Sequence, residues 1–482
     1  MIRPRSASWG IYLTIIVVLP ILVVFGLPKL NISAQTDSLP PPVYLPLTLR
    51  TSPLPPPIFG TEYSTSSIGS LIDLMVDSGV YWVRINAFNW AGIQPTEQNP
   101  PVYNWNAVDE QSLVDAENRG LQVIATIRFA PSWAQKEPPY YCSSIKQDKF
   151  DEFAQFVKEL VLRYSQPPYN IKYWELGNEP DVDPELIPPN SVYGCWGDDQ
   201  DDYYGGGYYA EMLKVIYPVI KAADPSAQVL IGGLLLNCDP TNPPPGNSCK
   251  PAKFFEGILR NGGGNYFDIV NFHGYVPYST KSSGGPLYND ENTPGWKARG
   301  GMVLGKINFL REVMATYGLN KPIMDTEGAL LCPEYLNPGC NPPTDAFYQA
   351  QADYLVWLFV RNWAEGLKGT IWYSFNGPGW RYCGLLDEHL NPRPAYHSLD
   401  FLSQELTGTR YTARLTQYSS LRGYEFNNNQ KKIWVLWSPD GESHSISVPS
   451  DFQRVFDKYG NDITPPDGEL EVNSPIYVEF NH

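Results

Sequence analysis

Glu179 and Glu327 each follow a short apolar, β-prone run, in Ile171-Lys-Tyr-Trp-Glu-Leu-Gly-Asn-Glu-Pro-Asp181 and Lys321-Pro-Ile-Met-Asp-Thr-Glu-Gly328. Each is followed at once by Pro or Gly, so each carboxylate is expected to project from a strand tip rather than lie inside a packed layer. Two such carboxylates can divide labour, one giving a proton to a leaving group while the other, ionised, attacks. That is the chemistry of glycosidic bond cleavage.

Elements that would carry these tips recur along the chain. From Ile58 to about Gln404, short apolar runs alternate with amphipathic helical segments, the pattern of a parallel α/β architecture. The strand candidates are Ile58–Thr61, Tyr81–Asn86, Gln122–Ile127, Lys172–Leu176, Gln228–Gly232, Phe267–Phe272, Pro322–Asp325 and Gly369–Phe375. Phe150, Phe153, Phe156, Val157, Leu160 and Val161 mark one helical face, and Val303, Leu304, Ile307, Leu310, Val313 and Met314 another. Eight strand and helix units favour a closed (β/α)8 TIM barrel over an open doubly wound sheet, and no Gly-x-Gly-x-x-Gly follows the first strand.

After about Leu406 the helical period gives way to Tyr424–Phe426, Lys432–Trp437, Ser445–Val448, Arg454–Phe456 and Ile476–Phe480, separated by turn-rich stretches. These predict a small C-terminal antiparallel, β-sandwich-like domain over 406–482, after a barrel over 58–405. Trp434 and Trp437, three apart, face opposite sides of their strand, so at least one is expected inside.

The 482 residues carry a net charge of −16 with no compensating basic cluster, which disfavours nucleic acid as a partner and suits an uncharged glycan. Arg3 and Arg5 precede an uncharged run from Ile11 to Leu27, the layout of an export signal. Residues 1–34 therefore read as a signal peptide or a retained N-terminal membrane anchor, followed by a Pro-rich linker over 35–57, and the protein as secreted or anchored outside the cell. An exported chain permits disulfides. Cys238 with Cys249 and Cys332 with Cys340 are close in sequence, Cys142 with Cys195 is a further pairing, and seven cysteines leave at least one unpaired. No Cys-x2-Cys or neighbouring His pair suggests zinc. The acidic loop Asp198–Asp202 lacks the ligand order of a calcium loop, so neither a metal nor a cofactor is expected.

Six motifs in order, Tyr81-Trp-Val-Arg-Ile-Asn86 with Trp90, Phe129-Ala-Pro-Ser-Trp-Ala134, Asn178-Glu-Pro180, His273-Gly-Tyr275, Thr326-Glu-Gly328 and Ile371-Trp-Tyr-Ser-Phe375, span the barrel. In these the chain resembles the clan A glycoside hydrolases, in particular families 39 and 5. The resemblance implies catalytic carboxylates after strands 4 and 7, with Glu179 as general acid/base and Glu327 as nucleophile of a retaining mechanism. It further implies that Arg84 and Tyr275 hold Glu327 ionised, that Asn178 binds the 2-hydroxyl, and that His273 contacts substrate or orients the nucleophile. The residues themselves also allow Arg84 to pair with interior Glu175, and His273 to be a core histidine. Trp90, Trp133, Trp372 and Trp380 are candidates for stacking on sugar faces, and each could equally belong to the core. Trp372 and Tyr373 point to opposite faces of their strand, so only one of them can line the site. The loops Pro138–Asp148 and Asp181–Gly207 are expected to wall it. The expected activity is hydrolysis of β-linked oligo- or polysaccharides. A transglycosylase and a non-catalytic carbohydrate-binding barrel are the other readings, the last disfavoured by the joint presence of Glu179, Glu327, Asn178 and Tyr275. Oligomeric state is left open.

Overall fold

Alternation along the barrel strands sets what faces inward. In Tyr81-Trp-Val-Arg-Ile, Val83 and Ile85 join the apolar layer beneath the helices, while Trp82 packs with Ile124, Leu230, Ile269, Met324 and Ile371 in a separate cluster inside the cylinder. Two residues further along the same strand faces, Arg84, Glu175, Asn271 and Thr326 form a polar layer above that plug. The inner floor is dry and the inner ceiling charged, so any ligand must arrive from the upper, C-terminal side.

The computed structural model describes residues 56–63, 68–138, 140–279, 288, 290–428 and 430–481. The expected export segment and the linker before residue 56 lie outside these residues. No helix among the described residues is long and apolar enough to cross a membrane.

Eight parallel strands form the curled sheet: β1 Phe59–Glu62, β2 Trp82–Asn89, β3 Gln122–Arg128, β4 Tyr173–Leu176, β5 Gln228–Leu230, β6 Val270–Pro277, β7 Ile323–Leu331 and β8 Thr370–Tyr373. Their order is β5-β4-β3-β2-β1-β8-β7-β6. Two single parallel bridges, Leu230 to Ile269 and Leu234 to Phe272, join the outer strands, so the ring closes there by its thinnest seam. Helices α1 Ile72–Asp77, α2 Trp90–Ile93, α3 Glu110–Asn118, α4 Phe150–Tyr164, α5 Gly206–Ala223, α6 Phe254–Arg260, α7 Met302–Thr316, α8 Asp345–Ala364 and α9 Pro394–Leu406 fill the connections. This is a (β/α)8 barrel.

Two strands are longer than their apolar runs predict. Strand β6 continues through His273 and Tyr275, and β7 through Glu327, so Glu327 lies mid-strand rather than at a tip. The ladder register shifts between Phe272 and His273 and between Asp325 and Gly328, and an irregularity of this kind re-aims side chains without ending the strand. His273 and Glu327 are direct cross-strand partners as a result.

The C-terminal region holds a five-stranded antiparallel sheet and a two-stranded one. Its strands are β9 Arg410–Leu415, β10 Arg422–Asn427, β11 Lys431–Trp437, β12 His444–Ser447, β13 Phe452–Asp457, β14 Glu469–Val472 and β15 Ile476–Asn481. Period-two alternation in β11 sends Ile433, Val435 and Trp437 toward the barrel core, and Trp434 and Leu436 into a small core shared with β12 and β14. Helix α8 is buried nearly all round because the barrel covers one side and this sheet the other, with Trp357 stacked on Trp437 at 5.6 Å. Both Trp434 and Trp437 are buried, so neither offers a ring to a glycan. Across the same contact, Lys458 pairs with Asp353 (2.5 Å) and Arg422 with Glu291 (2.7 Å).

Candidate active site

Arg84 rises from the middle of β2 into the barrel and is fully buried, so its charge must be met by partners inside. Its Nε donates to Glu175 (2.6 Å), Nη2 donates to Asn178 Oδ1 (2.7 Å), and Nη1 is shared between Glu62 (2.5 Å) and Glu327. The two sequence readings of Arg84, a structural pair with Glu175 and a clamp on Glu327, are therefore both realised by one guanidinium. A planar five-donor fork can do this where a lysine could not.

Glu327 receives Arg84 on Oε1 and the Tyr275 hydroxyl on Oε2, with His273 Nδ1 3.3 Å away. Burial pushes this carboxyl up, and His273, Arg84 and the Tyr275 hydrogen bond outweigh it, holding Glu327 below the usual carboxylate range. Across the cleft, Glu179 sits after β4 in the left-handed region (φ 52), its N–H donating to Gly232 O (2.6 Å). Such backbone geometry in a non-glycine residue is kept where the surroundings enforce it, typically at functional sites. Glu179 Oε1 lies 2.7 Å from His273 Nδ1. Burial lowers the His273 pKa, but Glu327 and Glu179 prevail and raise it above the ordinary value, which favours the protonated imidazole between the two carboxylates. Gly233 (φ 57) permits this: a Cβ there would lie 2.1 Å from His273 Nε2.

One oxygen each of Glu179 and Glu327 and a His273 ring nitrogen lie within 4.8 Å of one another. The set has the composition of a metal site, but Arg84 and Tyr275 already donate to Glu327, and the guanidinium opposes a cation there. The donor set fits proton transfer and nucleophilic attack better.

The aromatic expectations divide. Trp380 is 46% exposed and meets Tyr275 edge-on at 5.2 Å, so the structure brings it to the site. Trp90 (1% exposed) is sealed between Phe153 and Phe156, and Trp372 (0%) donates its indole N–H to Cys383 O in the core. Neither can stack on a sugar, because core packing covers the faces a sugar would need. Strand alternation instead turns Tyr373 toward Tyr275, at 5.9 Å. Trp133 packs half-buried against Trp90 and donates to Gln94 O (3.3 Å), contacts that belong to the barrel wall rather than to the carboxylates.

Glu62, at the tip of β1, carries no comparable signal in the sequence, because Tyr63 rather than Pro or Gly follows it. Its Oε2 accepts from Arg84 and its Oε1 from Asn86 (2.7 Å), and Asn86 Oδ1 accepts from Arg128 (2.7 Å) at the tip of β3. Burial, opposed by Arg84 and reinforced by Glu327, pushes Glu62 up to about 7. Burial likewise pushes Asp325 to about 7 and Asp181 to about 6. Each of these carboxyls binds its proton more tightly folded than unfolded, as does His273, so each contributes stability at low pH that is lost as pH rises through its folded pKa. Glu327, shifted the other way, loses its contribution only below the normal carboxylate range. Thermal unfolding is therefore expected at a higher temperature at pH 5.5 than at pH 8, and Glu62→Gln is expected to flatten that difference. An unchanged slope in the variant contradicts the assignment.

Three disulfides, Cys142–Cys195, Cys238–Cys249 and Cys332–Cys340, pin connections on the strand C-terminal side, and Cys383 is free and buried. The first ties the loop after β3 to the loop after β4, as expected of the site walls. Between them a small cavity beside Asn178 is lined by Arg128, Phe129, Tyr193 and Gly194. A Cβ on Gly194 would lie 2.4 Å from Asn178 O, a backbone atom that cannot swing aside. Gly194→Ala is thus expected to lower turnover by roughly 10²-fold through displacement of Asn178 and Glu179, with circular dichroism showing the fold intact. The acidic loop is accounted for locally: Asp198 accepts from Gln200 N, and Asp201 from Tyr203 N and Gly205 N.

No protein-family model and no curated protein matches the chain. Solved structures do. A family 39 glycoside hydrolase from the gut symbiont Bacteroides cellulosilyticus WH2 superposes with a TM-score of 0.62 at 17% identity, over 88% of this chain and 81% of that one. A family 30 subfamily 8 xylanase from Clostridium acetobutylicum gives 0.56 at 14%, over 88% and 96%. A monomeric β-xylosidase from Caulobacter crescentus CB15 gives 0.55 at 14%, over 89% and 97%. The chain shares the TIM-barrel fold of these glycoside hydrolases.

Proposed function

We propose that the protein is an exported, retaining β-glycoside hydrolase of oligo- or polysaccharides that needs no cofactor. The single observation that carries this is the Glu179, His273, Glu327 cluster. Two carboxylates approach within 4.8 Å through their nearest oxygens, one of them held ionised by Arg84 and Tyr275. Retaining enzymes space their carboxyl groups about 5 to 5.5 Å apart, whereas inverting ones leave about 6.5 to 9.5 Å for a water. The close approach favours direct attack by Glu327.

In this reading Glu327 attacks the anomeric carbon while Glu179 protonates the departing oxygen, giving a covalent glycosyl ester and a free alcohol. Glu179, now ionised, takes a proton from water, which attacks the ester and regenerates Glu327. Arg84 keeps the leaving carboxylate stable, and the Asn178 amide is placed to donate to the 2-hydroxyl. His273 holds the two carboxylates in register and relays their charge state. The disulfides and the expected export segment support a site of action outside the cell.

The test is reducing-sugar release from β-linked glucans, xylans, mannans and galactans, followed by NMR of the first-formed anomer. A β-anomer supports retention; an α-anomer refutes it; no release from any of them, with binding retained, leaves a carbohydrate-binding barrel.

A further inference from the structure

A continuous path of aromatic and guanidinium contacts leads from the reaction centre to the outer rim. Tyr275 donates to Glu327, Trp380 meets Tyr275 at 5.2 Å, and the Arg381 guanidinium lies over both the Trp380 ring (4.7 Å) and the Tyr335 ring (5.1 Å). Arg381 Nη1 also donates to the Tyr335 hydroxyl (3.0 Å). Tyr335 is 73% exposed, more than any other large hydrophobic or aromatic side chain among the described residues.

An exposed ring has no packing reason to be held still, yet this group is held from several sides. Cys332–Cys340 brackets Tyr335. Cys332 N donates to Arg381 O (2.9 Å), and Gln351 Nε2 donates to Tyr382 O (3.1 Å). Arg381 and Tyr382 are consecutive non-glycine residues in the left-handed region, at φ 53 and 65. Backbone held in that region beside a site is a signature of ligand clamps.

We propose that Trp380, Arg381 and Tyr335 form a second sugar position that takes the pyranose unit adjoining the one cleaved, so that the substrate is a neutral β-linked chain rather than a simple monoglycoside. This rests on the hydrolase reading above. A pyranose offers a C–H face to the aromatic rings and a rim of hydroxyls to the remaining guanidinium donors, the two chemistries this group presents. The strained loop and the disulfide supply the order in advance, so that binding does not have to.

Two measurements test it. The first is kcat/KM on aryl β-xyloside and β-glucoside against β-1,4-xylotetraose and cellotetraose, in the wild type and in Tyr335→Ala. The ratio of the better tetrasaccharide to its monoglycoside is expected to fall about tenfold in the variant; an unchanged ratio overturns the proposal. The second is calorimetric titration of the same tetrasaccharides into Glu327→Gln, with and without Tyr335→Ala. Binding about tenfold weaker without Tyr335 supports the subsite, even if the wild type cleaves nothing and the hydrolase reading falls. Binding of neither tetrasaccharide, or equal binding in both chains, overturns it. Tyr335 is exposed, so its truncation leaves the core untouched.

Discussion

Glu327→Ala is expected to lower turnover roughly 10⁴-fold or more, and added azide is expected to restore a measurable part of it with formation of an α-glycosyl azide. Glu327 is fed by Arg84 on one oxygen and Tyr275 on the other, so its truncation leaves a small space lined by a guanidinium and a hydroxyl, suited to a small anion. Azide attacking from that space enters on the face Glu327 would use, opposite to the departing β-linked group. Glu179→Ala is expected to give the β-azide instead, because there the covalent sugar forms first and azide replaces water on the other face. Product stereochemistry by NMR separates the two roles. The same azide anomer from both variants would contradict the assignment, as would Glu327→Ala retaining ordinary turnover.

Arg84→Met is expected to abolish detectable turnover and also to destabilise the fold by about 3 to 5 kcal/mol, the usual cost of leaving buried charges without their partner. The stability effect is a consequence of the structure. Were Arg84 a clamp on Glu327 alone, its removal would spare the fold. In the barrel it serves Glu62, Glu175, Glu327 and Asn178 together, and Glu175 is completely buried. Adding Glu175→Gln to Arg84→Met is expected to recover stability, since it removes an uncompensated charge, but not turnover, since Glu327 remains unclamped. Urea unfolding and kcat on the same chains read the two effects independently. Recovery of both would make Arg84 a structural residue only.

Much of this was readable from residue order. Local alternation and helical periodicity reveal the barrel strands, because inward and outward positions on a strand differ in polarity over a few residues. Glu179 and Glu327 were legible because each follows an apolar run with a turn residue behind it, and two of the disulfides because their cysteines are only 11 and 8 residues apart. Glu62 also ends a strand, but Tyr63 rather than Pro or Gly follows it, so the local signal that marks the other two glutamates is missing there. The tryptophans are a different case. Trp90, Trp372 and Trp380 are the same residue type near strand ends, and whether a ring faces a sugar or a helix depends on what packs over it from distant parts of the chain.

Sequence alone indicated the barrel and the small β-domain after it, and put Glu179 and Glu327 just beyond the fourth and seventh apolar runs, since these follow from local periodicity and turn chemistry. Tertiary structure decided the rest. The register shifts in β6 and β7 bring Glu327 into the middle of a strand opposite His273, and Arg84 is shared among three carboxylates. Trp380, Arg381 and Tyr335 come together from two loops. Each of these depends on contacts between segments far apart in the chain, which residue order alone does not encode in any local pattern.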